Sequence, residues 1–191
     1  MKILSLYIFL HKLSVVRGEV DADPTNPFIC SYFDLEELGL SSADKIHMVG
    51  YEPLVTEGNE DLLHHLTLYT CEGFATIGGS PPPLDDSNLK HHHVEPACTS
   101  MPPGCTNFIA GWAVGANGEA FPEDVGIPIG EGQRWLVMQM HYYNPKMRKD
   151  VYDSSGLRVR VTNELRPVDA GIMQFIVGTV AGKPQNIEYI A

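Results

Sequence analysis

Short apolar runs separated by turn-forming residues dominate the chain. Apolar residues that alternate with polar ones predict a half-buried strand, and a short continuous apolar run predicts a strand buried on both faces. Clusters of Gly, Pro, Asp, Asn and Ser lie between the runs, as expected for turns. The predicted strands are residues 46–51, 62–69, 135–143, 157–162 and 172–180.

This pattern predicts an all-β fold, namely an antiparallel β-sandwich of jelly-roll-like type with long loops. One short helix is predicted, at residues 33–40, and residues 72–97 are predicted to form a long polar loop. Residues 1–10 are an apolar stretch behind one Lys. They fit either a first strand or a degraded secretory leader.

Composition narrows the class of protein. A chain of 191 residues with 43% hydrophobic and 19% charged residues suits one globular domain and excludes wholesale disorder. No apolar run reaches the eighteen residues or so that an ordinary membrane-spanning helix needs. The 13 Lys and Arg against 24 Asp and Glu give a net charge of -11. This charge argues against nucleic acid as a partner, because sequence-independent binding needs a cationic surface.

Four cysteines, an even number, favour disulfides formed in an oxidising compartment. They are Cys30, Cys71, Cys98 and Cys105. No C-x-x-C motif is present, so a zinc ribbon or thioredoxin-type site is not indicated. The residues alone leave all three disulfide pairings open, together with the alternative of four reduced, buried thiols.

Eight histidines are many for this length. His64 and His65 are adjacent in one predicted strand, and His141 lies in another. Neutral imidazoles bind Zn, Cu, Fe or Ni. Successive strand residues point to opposite faces, so two adjacent ligands require a bulge or a twist in the strand. The alternative is that one ring of the pair is a buried core residue and the other is exposed.

A second histidine cluster, His91-His92-His93, lies in the predicted polar loop. His91 and His93 have an H-x-H spacing that binds metals loosely. The alternative is a solvated loop tract. No G-x-S-x-G motif or phosphate-binding glycine loop occurs, so a serine hydrolase or nucleotide-dependent enzyme has no support.

Six motifs that follow one another along the chain resemble those of one family. The resemblance is to the N-terminal copper domain of the type II, ascorbate-dependent copper monooxygenases, and it is closer to the dopamine β-monooxygenase branch than to the peptidylglycine branch. It extends from about residue 26 to about residue 180. The motifs are YEPLVTEGNE (51–60), HHLTLYTC (64–71), GWAVG (111–115), FPEDVG (121–126), QMHYYNP (139–145) and DSSG (153–156).

The resemblance implies a copper ion bound by His64, His65 and His141, with ascorbate as the electron donor. In the family, this copper passes electrons to a second copper domain, which binds O2 and hydroxylates a C–H bond of a small-molecule substrate. The resemblance also implies two disulfides, which pair Cys30 with Cys98 and Cys71 with Cys105.

Three departures from the family pattern matter. The family's second copper is bound by an H-x-H pair and a Met, whereas this sequence has no histidine after His141, and Met173 comes too early to be that ligand. Phe28 occupies a position where relatives lead us to expect a Tyr, so a hydroxyl that could support a ligand is missing. Gln139 is a candidate for supporting the copper site from two residues before His141, although a plain strand residue fits as well.

These features predict residues 1–20 as an extension or degraded leader, 21–170 as the copper domain and 171–191 as the start of a truncated second domain. The leading hypothesis is the electron-transfer part of a copper monooxygenase of the secretory pathway, inactive in hydroxylation by itself. The first alternative is a non-catalytic secreted copper-binding β-sandwich. The second is a mononuclear zinc hydrolase with three histidine ligands, for which no general base is evident.

Overall fold

Thirteen β-strands form the regular secondary structure of the residues that the structure describes. The structure is a computed structural model and describes residues 4–9, 13–14, 25–71, 93–96, 98, 101 and 104–173. No helix occurs within these ranges, and therefore none that could span a membrane. The strands are β1 Leu4–Phe9, β2 Leu13–Ser14, β3 Phe28–Asp34, β4 Lys45–Leu54, β5 Leu63–Cys71, β6 His93–Pro96, β7 Asn107–Ala113, β8 Glu119–Ala120, β9 Val125–Gly130, β10 Trp135–Tyr142, β11 Tyr152–Asp153, β12 Gly156–Thr162 and β13 Val168–Asp169.

Two sheets contain most of these strands. The larger sheet has the order β1-β12-β4-β9-β13, with β8 also paired to β4, and the second has the order β6-β3-β10-β5-β7. Strands β2 and β11 form a separate pair. All pairings are antiparallel except the short one between β9 and β13. The predicted all-β sandwich is confirmed, as are four of the five predicted strands.

The main hydrophobic core lies between the inner faces of the two sheets. Each large side chain that is moved from water into such a core stabilises the fold by roughly 1.5–3 kcal/mol. Strands β4, β9 and β12 supply one wall of the core, and β3, β5 and β10 supply the other. The buried residues include Ile46, Met48, Ile127, Ile129, Leu157, Val159 and Val161 from the first wall and Ile29, Phe33, Leu66, Leu68, Leu136, Met138 and Met140 from the second.

A second, smaller cluster covers the outer face of the five-stranded sheet. Cys98 forms a disulfide with Cys30 on β3, and Cys105 forms one with Cys71 on β5. Because β3 and β5 flank β10, the two disulfides fasten the chain around residues 98–105 to both neighbours of β10. The four half-cystines are buried with Tyr32, Trp135 and Val137. These are the two pairs that the resemblance implies.

The predicted helix at residues 33–40 is wrong. Residues 33 and 34 end β3, and residues 35–39 form turns. The Asp34 carboxylate accepts hydrogen bonds from the backbone N–H of Glu36 (3.0 Å) and from the Arg134 side chain (2.6 Å). Gly39 has φ 76°, a left-handed conformation that ends a helical turn. Eight residues are also too few to nucleate a helix without tertiary support.

Three further predictions have different outcomes. The predicted loop at residues 72–97 contains strand β6, which pairs with β3; residues 72–92 and 97 lie outside the described residues. In the predicted strand at residues 172–180, Ile172 and Met173 are not in a strand, and residues 174–180 lie outside the described part. The apolar stretch near the N-terminus contains β1, which pairs with β12.

The turn between β9 and β10 gives a test of this fold. Gly130 and Gly132 have φ 88° and 93°. A Cβ on Gly130 would collide with the carbonyl O of Asp44, whereas one on Gly132 would meet nothing within 4 Å. We expect Gly132→Ala to lower the free energy of unfolding by about 1–2 kcal/mol through backbone strain, and Gly130→Ala by about 2–5 kcal/mol because a clash is added. Chemical denaturation measures both, and equal losses would contradict the geometry.

Candidate metal centre

Three histidine rings converge where β5 and β10 lie side by side. These strands are antiparallel neighbours, and His65 pairs directly with His141. The Nδ1 atoms of His64 and His65 are 3.0 Å apart, and those of His65 and His141 are 3.4 Å apart. One ring nitrogen from each histidine lies within 4.8 Å of the other two. Residues that are 76 positions apart in sequence are therefore brought together by strand register.

A register shift in β5 places two consecutive histidines on the same side. Leu63 pairs with Tyr142 and His65 with His141, so His64 has no partner on β10. Leu63 and Leu66 are both fully buried, so the two residues between them must both face outward. This arrangement is a β-bulge, in which two residues on one strand oppose one residue on the other. The bulge meets the requirement that sequence analysis set for two adjacent ligands.

Aromatic rings line one side of the cluster. The Phe28 ring lies parallel to the His141 ring, with 4.1 Å between centroids and an interplanar angle of 8°. The three imidazoles meet edge to face, with centroids 4.8–5.3 Å apart. His64 is exposed, whereas His65 and His141 are half-buried. The centre is therefore open to solvent beside His64 and walled by Phe28 beside His141.

The environment keeps two of the rings neutral. Burial, together with the neighbouring His65 and His64, lowers the pKa of His141 from 6.5 to about 4. Burial also lowers the pKa of His65, with a smaller contribution from His64. A metal binds the neutral imidazole through its free lone pair. The folded chain thus presents these rings in the form that a metal requires.

The donor set suits a metal that binds imidazole. A metal–nitrogen bond is about 2 Å long, so two nitrogens on one ion are at most about 4 Å apart; the separations of 3.0 and 3.4 Å satisfy this limit. The His141 ring turns its Nδ1 toward His65, while its Nε2 is buried without a hydrogen-bond partner. Three nitrogen ligands suit copper or zinc and leave a coordination position open.

The structure describes two of the other predicted site residues, Gln139 and Phe28. The Gln139 amide nitrogen donates a hydrogen bond to the carbonyl O of Cys98 (2.8 Å), which connects β10 to a disulfide. Phe28 lacks the hydroxyl expected from relatives, but its ring packs against His141. His91 and His92 lie outside the described residues, and so does the side chain of His93.

Two buried polar residues beside the centre are not among those that sequence analysis predicts. They are Asn59 and Asp153, which hydrogen-bond to each other (2.8 Å). Each lies in a motif that sequence analysis used only to establish the resemblance, YEPLVTEGNE and DSSG respectively. Their place in these motifs is the signal that could have identified them. A buried acid or amide needs hydrogen-bond partners, and the two residues supply them to each other.

The fold and the site together define an all-β domain with a candidate three-histidine metal centre at the edge of one sheet. Residues 13–149 match the family described as copper type II ascorbate-dependent monooxygenase, N-terminal domain. The chain belongs to this family, as the motifs in its sequence indicate.

The chain is similar in sequence to dopamine beta-hydroxylases and to DBH-like monooxygenase proteins. The chain is 37% identical over 134 residues to dopamine beta-hydroxylase of Rattus norvegicus and 39% identical over 131 residues to that of Bos taurus; each alignment covers 67% of this chain and 20% of the relative. It is 30% identical over 167 residues to DBH-like monooxygenase protein 2 of Mus musculus, covering 86% of this chain and 24% of the relative. The chain thus spans about a fifth to a quarter of the length of these relatives.

The low pKa of His141 predicts how the stability of the metal-free protein depends on pH. Between pH 6.5 and about 4, the unfolded chain binds a proton at His141 while the folded chain does not, so the free energy of unfolding falls as the pH is lowered. His141→Gln removes this contribution, and we expect a shallower decline for the variant. Urea denaturation at several pH values measures both slopes. Equal slopes for the variant and the wild type would show that His141 is not held neutral.

Proposed function

We propose that His64, His65 and His141 bind one copper ion and that this domain is the electron-transfer part of an ascorbate-dependent copper monooxygenase. The observation that carries the proposal is the convergence of one ring nitrogen from each of three histidines at a bulge. Membership of a copper monooxygenase family supports copper as the metal. Three nitrogen ligands fit copper as well as zinc, and membership of the family favours copper.

Each side chain of the centre has its own part in this function. When bound, copper supplies one-electron redox chemistry. His65 and His141 offer neutral rings at neutral pH, because burial lowers their pKa values. Phe28 holds the plane of the His141 ring through a parallel contact. His64 is the exposed member of the set, so electrons from ascorbate would enter on its side.

The disulfides indicate the compartment in which the domain folds. Two disulfides are typical of proteins of an oxidising compartment, and we assign the domain to the secretory pathway. Hydroxylation of a small-molecule substrate with O2 requires a second copper site. We place that site outside these 191 residues, since no histidine follows His141.

Copper uptake tests the ligand assignment. We expect the wild-type protein to take up one equivalent of copper, and His64→Ala, His65→Ala and His141→Ala each to abolish tight uptake, because two imidazoles remain. Metal analysis after dialysis and a competition titration measure stoichiometry and affinity.

The control is the double variant His91→Ala/His93→Ala, which removes the other H-x-H pair and should bind copper like the wild type. Loss of copper from this double variant, with retention by the three single variants, would move the site to the 91–93 tract.

Reaction with ascorbate tests the electron-transfer role. We expect ascorbate to bleach the Cu(II) electron paramagnetic resonance signal of the loaded protein, and no hydroxylated product to form from a phenylethylamine added with O2. A Cu(II) signal that persists under excess ascorbate would refute electron transfer. Product formation by these 191 residues alone would refute the assignment of hydroxylation to a second site.

A further inference from the structure

We propose that Asp153 is a positioning residue for the metal centre, which ties the turn leading into His64 and His65 to the end of β10 that carries His141. The inference rests on the proposed function, because it assigns a role toward copper. It concerns a residue that contacts no imidazole and acts through two neighbours, Asn59 and Tyr142.

The Asp153 carboxylate is buried and fully engaged. Asp153 is 1% exposed. Its Oδ2 accepts a hydrogen bond from the Tyr142 hydroxyl (2.7 Å), and its Oδ1 accepts one from the Asn59 amide (2.8 Å) and one from the Ser155 hydroxyl (2.7 Å). Burying a carboxylate is costly unless it is hydrogen-bonded, so these three donors are required where the acid lies.

Asn59 connects this acid to the adjacent histidines. The backbone carbonyl of Asn59 accepts hydrogen bonds from the backbone N–H of Leu62 (2.9 Å) and of Leu63 (3.0 Å), which close the turn before β5. The side-chain amide nitrogen of Asn59 also donates to the carbonyl O of Tyr152 (2.8 Å). Leu63 is the first residue of β5 and directly precedes His64. The Asn59 side chain therefore anchors to Asp153 and Tyr152 the residue whose backbone carbonyl closes the turn into the ligand strand.

Tyr142 connects the same acid to the third ligand. It directly follows His141, is 1% exposed, and pairs with Leu63 at the register shift. The backbone N–H of the next residue, Tyr143, donates to the carbonyl O of Leu62 (2.7 Å). The bulge is thus bounded by the pair Leu63 and Tyr142. Tyr142 contacts Asp153 directly, and Leu63 is linked to it through Asn59.

The contacts of Asp153 affect the geometry of the metal ligands as well as the stability of the fold. A bulge needs a fixed register on both sides, since a slip of one residue turns side chains to the other face of the sheet. Groups that orient metal ligands without touching the metal change metal affinity by roughly 10- to 100-fold when they are altered. Asp153 occupies such a position for both ligand-bearing segments at once.

The first test compares two buried aspartates that contact opposite ends of β10. Asp153→Asn keeps the volume but places an amide group where one branch needs an acceptor. Asp34→Asn is the matched control. Asp34 is 3% exposed, and in β3 it pairs with Trp135, at the end of β10 opposite His141. We expect copper affinity to fall about 10- to 100-fold and the Cu(II) hyperfine splitting to change in Asp153→Asn only. Thermal unfolding of the metal-free proteins records any loss of stability that both variants share.

A second pair of variants keeps the test decisive if Asp153→Asn fails to fold. Tyr142→Phe deletes the hydroxyl that links β10 to Asp153. Its control is Thr70→Val, which deletes a hydrogen bond of a buried residue, from the Asn107 amide to the Thr70 hydroxyl (2.9 Å), at the other end of β5. We expect a changed Cu(II) spectrum and weaker copper binding in Tyr142→Phe, and a wild-type spectrum in Thr70→Val.

Two results would overturn the inference. Wild-type spectra and affinities in Asp153→Asn and Tyr142→Phe would remove the positioning role and leave the copper assignment intact. Equal spectral changes in the matched controls would reduce Asp153 to a general stabiliser of the sheet. Failure of the wild-type protein to take up copper would refute the proposed function itself, and the positioning role with it.

Discussion

The candidate metal centre depends on one local constraint, the bulge that turns His64 and His65 to the same side of the sheet. In a regular strand, their rings would lie on opposite faces. The burial of Leu63 and Leu66 on either side makes the regular alternative costly, since it would expose a leucine or bury a histidine. The hydrophobic core therefore enforces the arrangement that brings the imidazoles together.

Two different kinds of contact stabilise this bulge from its two sides. On the outer face, Gln139 of β10 donates a hydrogen bond to Cys98, and the Phe28 ring packs against the half-buried His141. Burial of His141 lowers its pKa. At the end of the strand, the Asp153 network fastens the adjoining turn. The result is three rings that lie close together in the metal-free fold, of which His65 and His141 have lowered pKa values. Such preorganisation lowers the free energy that metal binding must spend on ordering the ligands.

The sequence predicts the strands that obey simple alternation, and it fails where tertiary contacts decide. Strands β4, β5, β10 and β12 follow from their apolar patterns, whereas β9 contains Gly126, Pro128 and Gly130, residues that usually indicate turns. Pro128 is tolerated because it pairs with β4 alone; β13 pairs only with residues 125 and 126 of β9. The error at residues 33–40 has a similar origin, because the Arg134 side chain from another part of the chain holds Asp34 in a strand end.

The site was predictable as a set of residue types but not as a geometry. The His pair and His141 stand out in the sequence, and the family resemblance joins them. The bulge requires knowledge of the register with β10, and Asp153 becomes informative only when its distant partner Asn59 is known. The most direct measurement is nitrogen-15 NMR of the imidazoles in the Cu(I)-loaded protein. We expect the Nδ1 resonances of His64, His65 and His141 all to shift on loading while their Nε2 atoms stay protonated. An unshifted Nδ1 resonance in any one of the three would contradict the shared centre.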